Sequence, residues 1–241
     1  AYYSLYVLEL GGTPFIVGGT ESVSSIILAL VQFLGGYLAD KRGRKQLILV
    51  MSFGVASSYI LFAMAVNWYF ILVGAVFRSI CLMFLPAVDA MRADSIPPEK
   101  RGLGYSITIL VSAISVLSPV VAGFFYMTKG LVPGMRTAYW IATASFFAAA
   151  IIRFKLKETL KADIGGCGLR DAFRSYKKAV AESFGVWKLV PRSALILFIL
   201  YSTPSFFVHM CILYYVIYAT NVLHVDEFHY AMMLAWQSII F

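Results

Sequence analysis

The stretch Gly36-Tyr37-Leu38-Ala39-Asp40-Lys41-Arg42-Gly43-Arg44-Lys45 decides how this chain folds. It closes one long apolar run and, at Gln46, opens another. Between them stand one acid, four bases and a glycine turn. Charges packed this densely cannot remain in hydrocarbon, so both flanking runs are expected to cross a membrane and leave the cluster at one face. Gly36 offers a place for another helix to approach closely, and Gly43 suits a sharp reversal of the chain.

The spacing G-x-L-A-D-K-x-G-R-K, with an aliphatic residue again at Ile48, resembles the signature loop between helices two and three of major facilitator superfamily transporters. A second stretch, Pro86-Ala87-Val88-Asp89-Ala90-Met91-Arg92-Ala93-Asp94-Ser95-Ile96-Pro97-Pro98-Glu99-Lys100-Arg101-Gly102, is similar to the end of helix four and the loop after it in the same superfamily. Pro97 and Pro98 are expected to stop that helix. The resemblance implies an all-α, polytopic membrane protein, with a six-helix N-terminal bundle and the start of a second bundle. It also implies a secondary transporter that moves a small solute by alternating access, its site lying between the halves. Carried over residue by residue, the gating motif comprises Gly36, Asp40, Gly43, Arg44, Lys45 and Asp89. Asp89 is expected to pair with Arg44, and Asp40 to face positive groups or helix N-termini of the opposite half, holding the interface shut until the halves rock apart. At the end of helix six, Leu156-Lys157-Glu158-Thr159 resembles the superfamily's P-E-T exit without its proline.

Composition agrees with this class. Of 241 residues, 61% are hydrophobic and 13% charged, against about a quarter charged in a soluble domain. Mean hydropathy is +0.81. The net charge of +8 does not point to nucleic acid, because the bases are distributed by topology rather than gathered on one soluble face. Cys81, Cys167 and Cys211 lie far apart, so neither a disulfide framework nor a metal site is indicated. No Ser-His-Asp set or hydrolytic carboxylate pair can be assembled, and Gly165-Gly166-Cys167-Gly168 lacks the Lys-Ser/Thr of a nucleotide loop. The reading is therefore of a non-enzyme with no catalytic residues, no cofactor and no metal. The chain begins at Ala1 inside an apolar stretch and stops at Phe241 in mid-run, so both ends read as truncated.

Apolar segments near the ~20 residues that a bilayer requires run at about 14–38, 46–66, 68–91, 104–127, 137–154 and 193–221. Residues 1–10 read as the end of a first helix and 228–241 as the start of an eighth. Three domains follow: an N-terminal bundle over 1–154, a linker over 155–192 and the opening of a C-terminal bundle over 193–241. Placing the Asp40–Lys45 loop in the cytoplasm makes 92–101 and 153–192 cytoplasmic as well. These regions hold seventeen of the twenty Lys and Arg residues, as expected for a cell-membrane protein that obeys the positive-inside rule. Tyr3-Ser4-Leu5-Tyr6 is echoed by Tyr215-Val216-Ile217-Tyr218, where helix seven would repeat helix one. In the linker, Leu169, Ala172, Phe173, Tyr176, Val180, Phe184 and Trp187 share one helical face. Their basic neighbours predict an amphipathic helix on the anionic lipids of the inner leaflet, with a solvated tether as the alternative. A monomer is expected.

Two ionisable residues lie deep in spans. Arg78 is 11 residues before Asp89, which places it ~16 Å from the membrane face. An arginine there costs about 3 kcal/mol unless it meets a cavity or a partner. It reads as a group on the substrate pathway or as a structural hydrogen-bond donor. The superfamily's R-x-x-x-G motif in helix four is broken by Leu82 in the glycine place, and counting back from Pro86 would put the arginine at Gly74. His209 can change charge near neutral pH, which suits a proton-coupled step; the alternative is a packing residue. Arg78 and His209 are expected to border one central cavity. Glu9 and Glu21 read as solvated groups at helix ends. In helix five, Ser118, Pro119 and Gly123 belong to an S-P-x-x-A-G pattern that resembles the G-P-x-x-G-G stretch of exporters, and they suit a bend and close packing. A proton gradient is the expected driving force. Facilitated uniport is the alternative, and a seven-helix receptor the competing class.

Overall fold

A computed structural model describes residues 2–113, 118–158, 190–226, 229–230, 232–233 and 236. The described residues form helices and short 3-10 turns and contain no strand. The α-helices are α1 (Tyr3–Glu9), α2 (Pro14–Arg42), α3 (Arg44–Ala63), α4 (Trp68–Cys81), α5 (Leu85–Ser95), α6 (Arg101–Ala113), α7 (Ser118–Lys129), α8 (Leu131–Ile152) and α9 (Arg192–Asn221). A 3-10 turn at Leu82–Phe84 joins α4 to α5. Among the described residues, five stretches are long and apolar enough to cross a membrane: Pro14–Ala39, Arg44–Ala63, Trp68–Ser95, Leu131–Lys155 and Arg192–Ile212. The amphipathic stretch expected between Leu169 and Trp187 lies outside the described residues.

Local chemistry sets the boundaries. Thr13 accepts a hydrogen bond from the Ile16 amide at the N-terminus of α2, with Pro14 in the first turn. Asn67 caps α4 through the Phe70 amide in the same way. Gly43 alone separates α2 from α3, at φ 94°. Any side chain would be strained in that conformation. The helix ahead of Pro97 ends at Ser95, as the proline pair predicts. The expected start of the sixth span near 137 is late: α8 begins at Leu131 with Pro133 in its first turn, where proline costs no intrahelical bond.

Two clusters make up most of the core among the described residues, and a third, smaller one pairs Leu38 with Met83. Of the larger two, one joins α1, α2, α4, α8 and α9 through Tyr2, Tyr6, Val17, Ile71, Met135 and Val216. The other lies toward the basic loop and joins α2, α3 and the α4–α5 unit through Ala39, Ile48, Val55, Cys81, Phe84 and Ala87. The expected close approach at Gly36 occurs one residue earlier. A Cβ on Gly35 would stand 1.8 Å from the Met83 carbonyl oxygen, whereas one on Gly36 would meet only Pro86 at 4.0 Å. A step of one residue turns a helix by about 100°, and α2 presents Gly35 to the 3-10 turn.

The α3–α8 pair is the most thoroughly joined. Tyr59 stacks on Phe146 with centroids 4.6 Å apart, Phe62 on Tyr139 at 5.3 Å, and Phe53 lies 6.1 Å from Phe147. By contrast α9 touches α1 and α2, and most of its side chains remain exposed.

Candidate functional site

The basic face is built around the N-terminus of α3. Arg44, 8% exposed, forms an ion pair with Asp94 of α5. This corrects the expected pairing with Asp89, whose carboxylate instead lies 3.2 Å from Arg92 and is largely exposed. The reason is rotational phase. Asp94 falls beside the stripe Ala87–Met91 that α5 buries against α3, and Asp89 is turned from it by about 140°. The backbone amide of Lys45 donates to Glu158 at 2.9 Å. Glu158 therefore places a carboxylate at the positive end of α3. Arg153 donates to Ser52 of α3, and its guanidinium lies 5.1 Å from the centre of the Phe84 ring. Asp40 stands in the last turn of α2, but its side chain lies outside the described residues.

At the opposite end of α3, Arg136 of α8 donates to the Ala65 carbonyl at 2.6 Å. The Tyr6 hydroxyl donates to the Phe62 carbonyl at 3.1 Å. Thus a carboxylate meets the N-terminus of α3 and a guanidinium its C-terminus, both supplied by α8 or the chain just after it.

Arg78 is not among the described lining residues of the cleft that holds His209. A helical side chain leaves its Cα tilted toward the helix N-terminus, and Arg78 accordingly reaches back along α4 to lie 5.7 Å from the centre of the Phe62 ring. It is close enough to Tyr3 and Tyr139 to act on their hydroxyls electrostatically. Its Nε, the Tyr3 hydroxyl and the Ser24 hydroxyl are buried without a hydrogen-bond partner among the described residues. Ser118 and Pro119 open α7, and Gly123 is its buried residue. Ser118 itself is exposed.

A cleft of about 1400 Å³ runs between α2 and α9. Phe15, Glu21 and Ser25 line one wall, and Tyr201, His209 and Tyr214 the other. The walls meet where the Tyr214 hydroxyl donates to the Pro14 carbonyl at 3.2 Å. They can approach there because Gly18 carries no Cβ, which would lie 2.3 Å from that hydroxyl. His209 is exposed, with Nδ1 2.8 Å from the Ser205 carbonyl oxygen. A carbonyl only accepts, so Nδ1 carries the proton, and in the neutral ring Nε2 is an acceptor. Glu21 was expected to be solvated at a helix end. It is half-buried and lines the cleft. The signal in the sequence is Pro14: α2 starts there, so a carboxylate seven residues on stands about 10 Å inside the helix.

A polytopic helical membrane protein with a two-walled cleft between its first helices and α9 is the class defined by this arrangement. The sequence model of the Major Facilitator Superfamily matches residues 1–241, and the chain belongs to that family. It is 28% identical over 182 residues, 73% of its length, to the uncharacterized MFS-type transporter YqjV of Bacillus subtilis. It is 30% identical over 154 residues, 61% of its length, to multidrug resistance protein MdtG of Klebsiella pneumoniae. Identity to the multi-drug resistance efflux pump PmrA of Streptococcus pneumoniae is 29% over 63% of the chain. The matched regions amount to 44%, 36% and 38% of those relatives, so the chain spans less than half of each. A solved structure of a peptide transporter POT mutant in complex with alafosfalin has the same fold, with a TM-score of 0.52 and 18% identity over 83% of this chain and 43% of that one.

Proposed function

We propose that this chain supplies the first bundle, and the opening of the second, of a secondary transporter that exports a small solute by alternating access. The observation that carries the reading is the α2–α9 cleft, where a carboxylate and an imidazole occur on two walls joined by one hydrogen bond and a small apolar contact through Val17 and Val216. Walls so lightly tied can separate, whereas the α3–α8 pair behind them is held at both ends. Membership in the superfamily favours transport over a receptor role, and the names of the MdtG and PmrA relatives favour export. His209 is the proton-exchanging group and makes the transporter a proton antiporter rather than a uniporter. It lines the cleft with Nδ1 held by the Ser205 carbonyl, which in the neutral ring leaves Nε2 as an acceptor for a proton.

In this reading the basic face is cytoplasmic and forms the gate. Arg44, Asp94 and Glu158 hold the α3 N-terminus, Gly43 makes the turn, and Asp40 reaches the opposite half. The division at 154 and 192, and the docking of the linker on anionic lipid, belong to the same proposal. The test is solute flux in proteoliposomes as a function of pH, with wild type beside His209→Gln. The expected result is a profile that His209→Gln flattens between about pH 5 and 8, and an Asp40→Asn variant that is slow at every pH. An unchanged profile in the histidine variant overturns proton coupling through His209.

A further inference from the structure

We infer that Arg78, Tyr3 and Ser24 form a site inside the first bundle for one small monovalent anion of the chloride class. The Arg78 Nε and the Tyr3 and Ser24 hydroxyls come from three different helices, and each is buried without a hydrogen-bond partner among the described residues. The chain brings them to one level. Ser24 stands ten residues past the start of α2 at Pro14, and Arg78 ten residues past the start of α4 at Trp68. Both helices start at the face opposite the basic loop, so both residues lie about 15 Å in. Tyr3 is six residues, about 9 Å, from the end of α1 at that same face. Its long side chain tilts further inward, toward the helix N-terminus.

The helix faces agree as well. Ser24 continues the buried stripe of Val17 and Thr20 on α2, and Arg78 lies one turn beyond Ala75 on the face of α4 that carries Ile71. Val17, Ile71 and Ala75 belong to the cluster against which Tyr3 packs. Arg78 acts electrostatically on the Tyr3 hydroxyl.

Chemistry then selects the occupant. Arginine stays charged in proteins and only donates hydrogen bonds. Arg78 forms no ion pair among the described residues, and the Phe62 ring beside its guanidinium attracts a cation without carrying net charge. A water molecule would satisfy the three donors yet leave the buried charge uncompensated. One anion accepts from all three and supplies the missing charge. Glu21 also acts on the Tyr3 hydroxyl, but it lies about 5 Å nearer the helix start and lines the cleft. Its field opposes a divalent anion twice as strongly as a monovalent one. Arg78 as a whole is half-buried, which leaves the site a way in.

The test is the unfolding midpoint of the full-length protein in detergent micelles as chloride replaces gluconate at constant ionic strength. The expected result is a midpoint that rises saturably with chloride, as for a ligand that binds the folded state alone. Bromide should substitute for chloride, and sulfate should not. Tyr3→Phe and Ser24→Ala each remove one donor and should raise the half-saturating chloride concentration about tenfold. A wild-type midpoint that is the same in chloride and gluconate overturns the inference and needs no variant that must fold. So does a chloride response that both variants, correctly folded, leave unchanged, because the ion then binds elsewhere. No step of the assay involves solute flux, so its outcome stands apart from the transport reading.

Discussion

The α3–α8 pair and the α2–α9 cleft are both contacts between long apolar helices, yet they are held in opposite ways. Along α3–α8, rings interlock from Phe53 to Phe62, and both helix ends meet an opposite charge. Between α2 and α9, one hydroxyl reaches one carbonyl beside a glycine, Val17 and Val216 share one buried cluster, and most other side chains of α9 are exposed. In lipid, apolar contact alone favours neither arrangement, because tails are as apolar as leucine. What distinguishes a scaffold from a moving joint is the set of polar groups fastened across it and the fit of the rings.

The sharpest way to break the scaffold is to remove a ring from it. Phe62 is 2% exposed and touches Tyr59, Tyr139 and the Arg78 guanidinium. Phe62→Ala should cost about 3–5 kcal/mol, measured by equilibrium unfolding in mixed micelles. Next come the carboxylates at the basic face. Asp94→Asn should cost about 1–2 kcal/mol, since it removes the Asp94 charge from beside a mostly buried guanidinium, whereas Asp89→Asn should cost under about 0.5 kcal/mol. The reverse order would mean that α5 is rotated from the position described here. Glu158→Gln keeps a hydrogen-bond acceptor but removes the charge at the α3 N-terminus, so about 0.5–1 kcal/mol should be lost. On the cleft side, Tyr214→Phe should change stability by less than about 1 kcal/mol. It should nevertheless broaden the distance distribution between spin labels on α2 and α9. A sharp, unchanged distribution would show that the walls are held by more than this bond.

Several features were legible because lipid or the backbone dictates them locally. The Asp40–Lys45 cluster had to lie between spans, Pro97 and Pro98 had to end a helix, and Gly43 had to occupy a conformation other residues avoid. Features that depend on how one helix is rotated against another were not legible. Asp89 and Asp94 are both acids near the same helix end, and only the buried stripe of α5 decides which one meets Arg44. Gly35 and Gly36 differ by one residue, yet only Gly35 faces the Met83 carbonyl. Arg78 was expected to border the cavity because depth along a helix is countable, but the count does not report that its guanidinium lies beside the Phe62 ring. Glu158 caps a helix 113 residues away in sequence, a contact no local pattern reports. Glu21 was misread for a simpler reason: the helix starts at Pro14, so two turns already separate this carboxylate from the end.

The charges at the two ends of α3 have a consequence for biogenesis. Translation delivers α3 to the bilayer well before α8, and Glu158 arrives last of the described groups that complete it. Before Arg136 and Glu158 emerge, the Ala65 carbonyl and the Lys45 amide lack these partners, although Asp94 and Tyr6 already engage the two ends of the helix. The sixth span and the first residues beyond it therefore act as a keystone. Assembly intermediates halted before Glu158 should remain open to quality-control proteases, and those released after it should be resistant.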